Sequence, residues 1–286
     1  MKINLLLWMR EKIFENKMVK MLIKAPGIYK LAVLIRSIYG KLWTFTHRSY
    51  TVNIAGITAE FRVDYPEEAL GLLDFAGEKS VIEFFLGQIK EGDIVYDIGA
   101  NVGLYTILCA KKTGDEGLVV SFEPEPLSYK KLNENIKLNE LKNVRTYSIA
   151  LSDFNGKTKL NITGEGKATH NIRPLKRNIS NKQQIEVDTR RLDDLIVEDN
   201  LPKPDLIKID IEGAELNALH GMESLLKEQD DLLIVCEVHT EFLKDFGHSN
   251  EDLENFLREC GFIIEPIQGG RYETYFIKAI KSSNRK

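Results

Sequence analysis

The tightest constraint on this chain is a glycine turn set between an apolar strand and a helix. Ile94–Ile98 is a short apolar run that leads into Gly99-Ala100-Asn101-Val102-Gly103, and Val102–Lys112 then carries helical periodicity. Gly99 allows the sharp turn, and Gly103 allows the helix to pack closely on the strand. The pattern recurs along the chain. Leu118–Phe122 reads as a strand, Leu127–Leu138 as a helix, and Val144–Ala150 as a strand. After an irregular insertion, Asp205–Ile209 is a strand and Ala214–Lys227 a helix. Leu232–Val238 is a strand, Asn250–Cys260 a helix, and Phe262–Glu265 and Tyr272–Ile280 are the closing strands. Continuous apolar strands alternating with helices predict an open, mostly parallel α/β sheet covered on both faces. On such sheets ligands sit beyond the carboxyl ends of the strands. Composition agrees: 43% hydrophobic and 29% charged residues exclude a disordered or collagen-like chain. Cys109, Cys236 and Cys260 are too far apart for a zinc motif and read as buried thiols in a reducing compartment.

The ends of the chain differ in character. Residues 1–50 hold ten Lys/Arg against two Glu, a net charge of +8 in a protein of net −4. Their apolar runs fall short of the ~18 uncharged residues of a membrane span. We read residues 1–49 as a basic, amphipathic helical arm that packs on the main domain or a second subunit, or lies on an anionic membrane surface. This predicts a cytoplasmic protein, peripheral on the inner face of the membrane where the arm binds lipid. Tyr50–Val63 alternates apolar and polar residues about Ala55-Gly56, the signal of a β-hairpin, and residues 66–89 carry a helical pattern. Residues 50–286 form the main domain, with Thr163–Gln184 as a polar insertion where a substrate-facing lid would sit.

The turn departs from the glycine pattern of dinucleotide binders, because Asn101 stands where their second glycine belongs. Asp97, at the strand end, would repel a pyrophosphate but can accept hydrogen bonds from an ammonium group. Glu123 ends the next strand, 24 residues after Gly99, where an acid grips both hydroxyls of a ribose. A nucleoside joined to a cationic amino acid satisfies both, which points to S-adenosylmethionine rather than a nicotinamide cofactor. At the third strand end, Ser152 and Asp153 are placed to read an adenine edge, unless they only cap a turn.

Two further strand ends carry acids. Lys208 and Asp210 share one strand face, with Glu212 just beyond, and Glu237 and His239 share a face on the next strand. Carboxylates and a histidine at adjacent strand ends can orient an acceptor hydroxyl and take its proton. His239 is the expected base, with Asp210, Glu212 and Glu237 orienting the acceptor or holding a metal. No metal ligand is assigned, although the same carboxylates could hold a divalent ion. Glu215 reads as a first-turn acid favoured by the helix dipole.

Four runs together resemble the FkbM family of S-adenosylmethionine-dependent methyltransferases. They are Asp97–Gly103 with the following Leu-Tyr-Thr, Phe122-Glu-Pro124, Ala150-Leu-Ser-Asp153, and Leu206–Glu215 with Leu219-His-Gly221. The resemblance covers residues 65–280. It implies a doubly wound, seven-stranded Rossmann-like methyltransferase sheet whose last strand is antiparallel. It also implies that Asp97, Gly99, Ala100, Asn101 and Gly103 hold the methionine end of the cofactor and Glu123 the ribose. The implied reaction is O-methylation of a hydroxyl on a sugar, glycan or other small molecule. Nucleic-acid methylation is the alternative, disfavoured by the acidic domain and the lack of a base-gripping run. A cofactor-binding scaffold without catalysis is a second alternative, and the intact Asp210, Glu212, Glu237 and His239 speak against it.

Overall fold

A computed structural model describes residues 48–64, 68, 71–72, 75–162, 170–171, 183–268 and 274–281. The chain divides into two compact units, residues 1–48 with 63–69 and residues 49–62 with 70–286. The basic arm thus lies outside the described residues except for its last two.

Its elements are, in order, β1 (Ser49–Ile54), β2 (Ile57–Arg62), α1 (Lys79–Gln88), β3 (Ile94–Ile98), α2 (Leu104–Thr113), β4 (Leu118–Phe122), α3 (Pro126–Leu138), β5 (Val144–Tyr147), β6 (Ala150–Leu151), β7 (Gly156–Ile162), β8 (His170–Asn171), β9 (Gln183–Arg190), α4 (Leu192–Glu198), β10 (Leu206–Ile209), α5 (Glu215–His220), α6 (Glu223–Glu228), β11 (Leu232–Val238), α7 (Thr240–Leu243), α8 (Asn250–Glu259), β12 (Ile263–Ile267) and β13 (Tyr275–Lys281). Seven strands form the main sheet in the order β12-β13-β11-β10-β3-β4-β5. Strands β11, β10, β3, β4 and β5 run parallel, and β13 runs antiparallel to both its neighbours. All seven residues of β11 and all four of β10 are buried, as expected for central strands covered on both faces. Cys109, Cys236 and Cys260 are buried free thiols.

The β1–β2 hairpin turns through Ala55 and Gly56, both at positive φ, with Ile54 facing Ile57. Positive φ at both central residues gives the turn whose twist matches that of the strands. The hairpin docks on α3 through two asparagines. Asn139 accepts from the Glu60 amide at 3.0 Å and donates to the Glu60 carbonyl at 2.6 Å, standing in for a neighbouring strand. Buried Asn135 accepts from the Arg62 amide at 2.8 Å and donates to the Val102 carbonyl at 2.8 Å.

Three expectations are revised. The strand expected over Val144–Ala150 is two: β5 stays in the main sheet, while β6 leaves it to pair with β9. The insertion that follows is not irregular throughout. β7 pairs along its length with β9, and a second sheet forms in the order β6-β9-β7-β8. Residues 163–169 and 172–182 of the expected lid lie outside the described residues. The helix expected over Ala214–Lys227 breaks at Gly221 into α5 and α6. The cause is distant in sequence: Asp193, in α4, accepts hydrogen bonds from the amides of Ser224 and Leu225 at 2.9 and 3.0 Å and so caps α6.

Candidate active site

The glycine turn lies against the end of β10. Gly99 has φ +82°, and a Cβ there would fall 1.9 Å from the Asp210 carbonyl oxygen, so only glycine fits. Gly103 caps α2 in a left-handed conformation, and a Cβ on it would meet Leu132 of α3 at 2.6 Å. The close approach it permits is therefore between helices, not the helix–strand packing expected.

Glu123 stands at the end of β4, facing the turn. Its Oε2 accepts from the Asn101 amide at 2.7 Å, and its Oε1 accepts from the Glu125 amide at 2.8 Å. Burial pushes its carboxyl pKa up to about 7, even though both amides favour the charged form. The cleft in front of it is lined by Gly99, Asn101, Glu123, Asp210 and Glu212, with an apolar wall from Ile149, Ala150, Leu151 and Leu160. Both ends of β6 and the middle of β7 build that wall, so the second sheet closes the side of the cleft. This wall was not read from the sequence, because it depends on β6 leaving the main sheet.

Asp97 is fully buried beneath the turn and is not among the residues lining the cleft. Thr106 donates to its Oδ2 at 2.6 Å, and the Lys208 ammonium lies 3.4 Å from its Oδ1. Lys208 also donates to the Gly99 carbonyl at 3.0 Å, lies 3.5 Å from Asp210 Oδ2, and sits 4.9 Å from the centre of the Tyr105 ring. Burial alone would lower the Lys208 pKa. The carboxylates of Asp210 and Asp97, with Glu78 and Glu237, outweigh it and hold the group charged. Asp97 thus reaches the turn through Lys208, which pins the Gly99 carbonyl. Ser152 donates to Asp153 at 3.0 Å, and neither residue lines the cleft.

The second cluster lies at the ends of β10 and β11. His239 Nδ1 is 2.7 Å from Glu215 Oε1, and its Nε2 faces Asp210 Oδ1 and Glu237 Oε1, each at 3.8 Å. The imidazole is stacked on Phe242, with 6° between the rings. Glu215 is fully buried, so its role is to orient His239 rather than only to complement a helix dipole. Burial would lower the His239 pKa, but Glu215, Asp210 and Glu237 raise it to about 10. These carboxylates bias His239 toward its charged form, whereas a base must be neutral to accept the acceptor proton. Burial, followed by the charge of Asp210, raises the Glu237 pKa. Glu212 lines the cleft beside Asp210, with its backbone at φ +56°.

A cleft of this kind, at the carboxyl ends of a parallel sheet whose last strand runs backwards, belongs to an S-adenosylmethionine-dependent methyltransferase. The residues fit that cofactor: an acid faces the turn, a glycine backbone leaves room, and an apolar wall can take a flat base. The family model described as the methyltransferase FkbM domain matches residues 97–264, and the chain belongs to that family. It is 28% identical over 227 residues to the hexuronic acid methyltransferase AglP of Haloferax volcanii, covering 78% of this chain and 86% of that one. It is 31% identical over 149 residues to the 2-O-methyltransferase NoeI of Sinorhizobium fredii, covering 48% of this chain and 60% of that one. Among solved structures, a precorrin-6y C5,15-methyltransferase from Geobacter metallireducens aligns at 16% identity and a TM-score of 0.44, covering 71% of this chain and 89% of that one.

Proposed function

We propose that the protein methylates an oxygen of a sugar, a glycan or another small-molecule acceptor. One observation carries this reading: Asp210 lines the cofactor cleft and also faces His239, so a proton-accepting cluster borders the place where the methyl group arrives. Two relatives whose names specify a hexuronic acid and a 2-O position support an acceptor of the sugar class.

Glu123 would hold the ribose hydroxyls, the Gly99–Gly103 backbone the methionine end, and Ile149–Leu151 with Leu160 the adenine. When bound, S-adenosylmethionine supplies a methyl group on a positively charged sulfur. The acceptor oxygen must lie in line with that bond and shed its proton. Glu237 and Asp210 are the groups that take the proton. His239, fixed by Glu215, faces both carboxylates and orients them toward the acceptor. We further propose a cytoplasmic protein whose residues 1–49 either pack on protein or meet an anionic membrane surface. Among the described residues no helix is long and apolar enough to cross a membrane.

The test is transfer of labelled methyl from S-adenosylmethionine to a panel of free sugars, uronic acids and lipid-linked glycans. Label should appear on at least one glycan. Glu237→Gln should lower turnover by roughly 10²–10⁴-fold, the range for a lost general base, and leave cofactor affinity unchanged. Wild-type turnover in Glu237→Gln would remove it from the mechanism.

A further inference from the structure

We propose that Asp210 Oδ1, Glu237 Oε1 and His239 Nε2 form the protein half of a divalent-cation site at the acceptor end of the cleft. The inference rests on the methyl-transfer reading and adds to it how the acceptor is activated.

Geometry comes first. One ligand atom from each of the three residues lies within 4.8 Å of the other two, and His239 Nε2 is 3.8 Å from Asp210 Oδ1 and from Glu237 Oε1. That spacing is too long for hydrogen bonds. It suits atoms sharing one ion: at bond lengths of about 2.0–2.2 Å, neighbouring ligands lie about 3–4 Å apart. His239 is only 5% exposed, and its Nε2 faces both carboxylates from beyond hydrogen-bond distance.

Orientation comes second. Glu215 engages Nδ1 and leaves Nε2 as the ligating atom, and Phe242 holds the ring by stacking. A carboxylate behind a ligating histidine fixes its tautomer and strengthens it as a ligand. The ligands stand on the ends of adjacent, fully buried strands, which makes the tripod rigid.

Charge and chemistry come third. Lys208 serves the other oxygen of Asp210, so Oδ1 remains to face His239. Two carboxylates and a neutral imidazole balance a charge of +2. One nitrogen with two oxygens suits Mn²⁺, Fe²⁺, Co²⁺ or Zn²⁺ better than Mg²⁺, which prefers oxygen alone. Asp210 alone of the three also lines the cleft, so an ion held there would border it, where it could bind the acceptor oxygen and lower its pKa. With the ion bound, Asp210 and Glu237 serve as its ligands and the acceptor proton leaves to solvent instead of to them.

The experiment titrates the full-length, chelator-treated protein with Mn²⁺ and reads free Mn²⁺ by electron paramagnetic resonance. One ion should bind per chain. Glu237→Gln, which is isosteric, and His239→Gln should each weaken that site at least tenfold, while the exposed control Glu223→Gln should not. An unchanged urea denaturation midpoint confirms that each variant is folded, and S-adenosylhomocysteine binding is measured separately. Cofactor binding without Mn²⁺ binding below millimolar concentration, or equal Mn²⁺ binding in both site variants, would overturn the ion site alone. One-to-one Mn²⁺ binding lost in both variants, in a protein that fails to bind the cofactor, would keep the ion site and overturn the methyl-transfer reading.

Discussion

Glu123 is held between two opposed influences. Burial raises its pKa to about 7, while the amides of Asn101 and Glu125 donate to it and favour the ionised form. Ribose hydroxyls can donate two hydrogen bonds only to the carboxylate, so cofactor binding must expel any proton held there. Apparent affinity for S-adenosylhomocysteine should therefore rise with pH and level off above about 7.5. At pH 6 it should be about tenfold weaker than on the plateau, one pKa unit being worth about tenfold. Calorimetry from pH 5.5 to 8.5 reads this, and Glu123→Gln should be weaker throughout and flat. In the cofactor-free protein the sign reverses. The folded pKa exceeds that of the unfolded chain, so the stability linked to that proton is present below about pH 4.5 and is lost as pH rises through about 7. A pH-independent affinity in the wild type would separate Glu123 from the cofactor.

At the scale of elements, the sequence exposes strand ends well and long-range partners poorly. The strands β3, β4, β10 and β11 are continuous apolar runs, so Glu123, Asp210, Glu237 and His239 could be placed at their carboxyl ends by counting. Period two put Glu237 and His239 on one face, and their side chains do converge. What could not be counted was which side chains answer one another across the fold. Asp97 looks like a ligand for an ammonium group until Lys208, 111 residues later, takes it. Glu215 looks like a helix-dipole acid until the end of β11 brings His239 to it. The docking of the hairpin on α3 is similarly invisible, since Asn139 reads as an ordinary helix end. Asn139→Ala should lower stability by about 1–3 kcal/mol, because it leaves the Glu60 amide and carbonyl without their partner. Urea denaturation measures this, and S-adenosylhomocysteine affinity should stay unchanged. No loss of stability would mean that the hairpin is held by its apolar face alone.

The whole molecule is electrically divided. Residues 1–50 carry +8, and the remaining chain therefore carries −12. If the arm reaches a membrane, the full-length protein should bind vesicles rich in anionic lipid at low salt and release them near physiological ionic strength or above, as screening shortens the reach of its charges. Vesicle flotation across a salt series checks this, and no binding at low salt would leave the arm a role in packing. The acidic remainder holds the cofactor cleft, and the account depends most on what binds there. The direct measurement is calorimetry of the purified full-length chain with S-adenosylhomocysteine, with NAD as the comparison ligand. The account predicts one S-adenosylhomocysteine per chain, at least tenfold weaker binding in Glu123→Gln, and no heat from NAD. Absence of S-adenosylhomocysteine binding, or tight binding of NAD in its place, would contradict it.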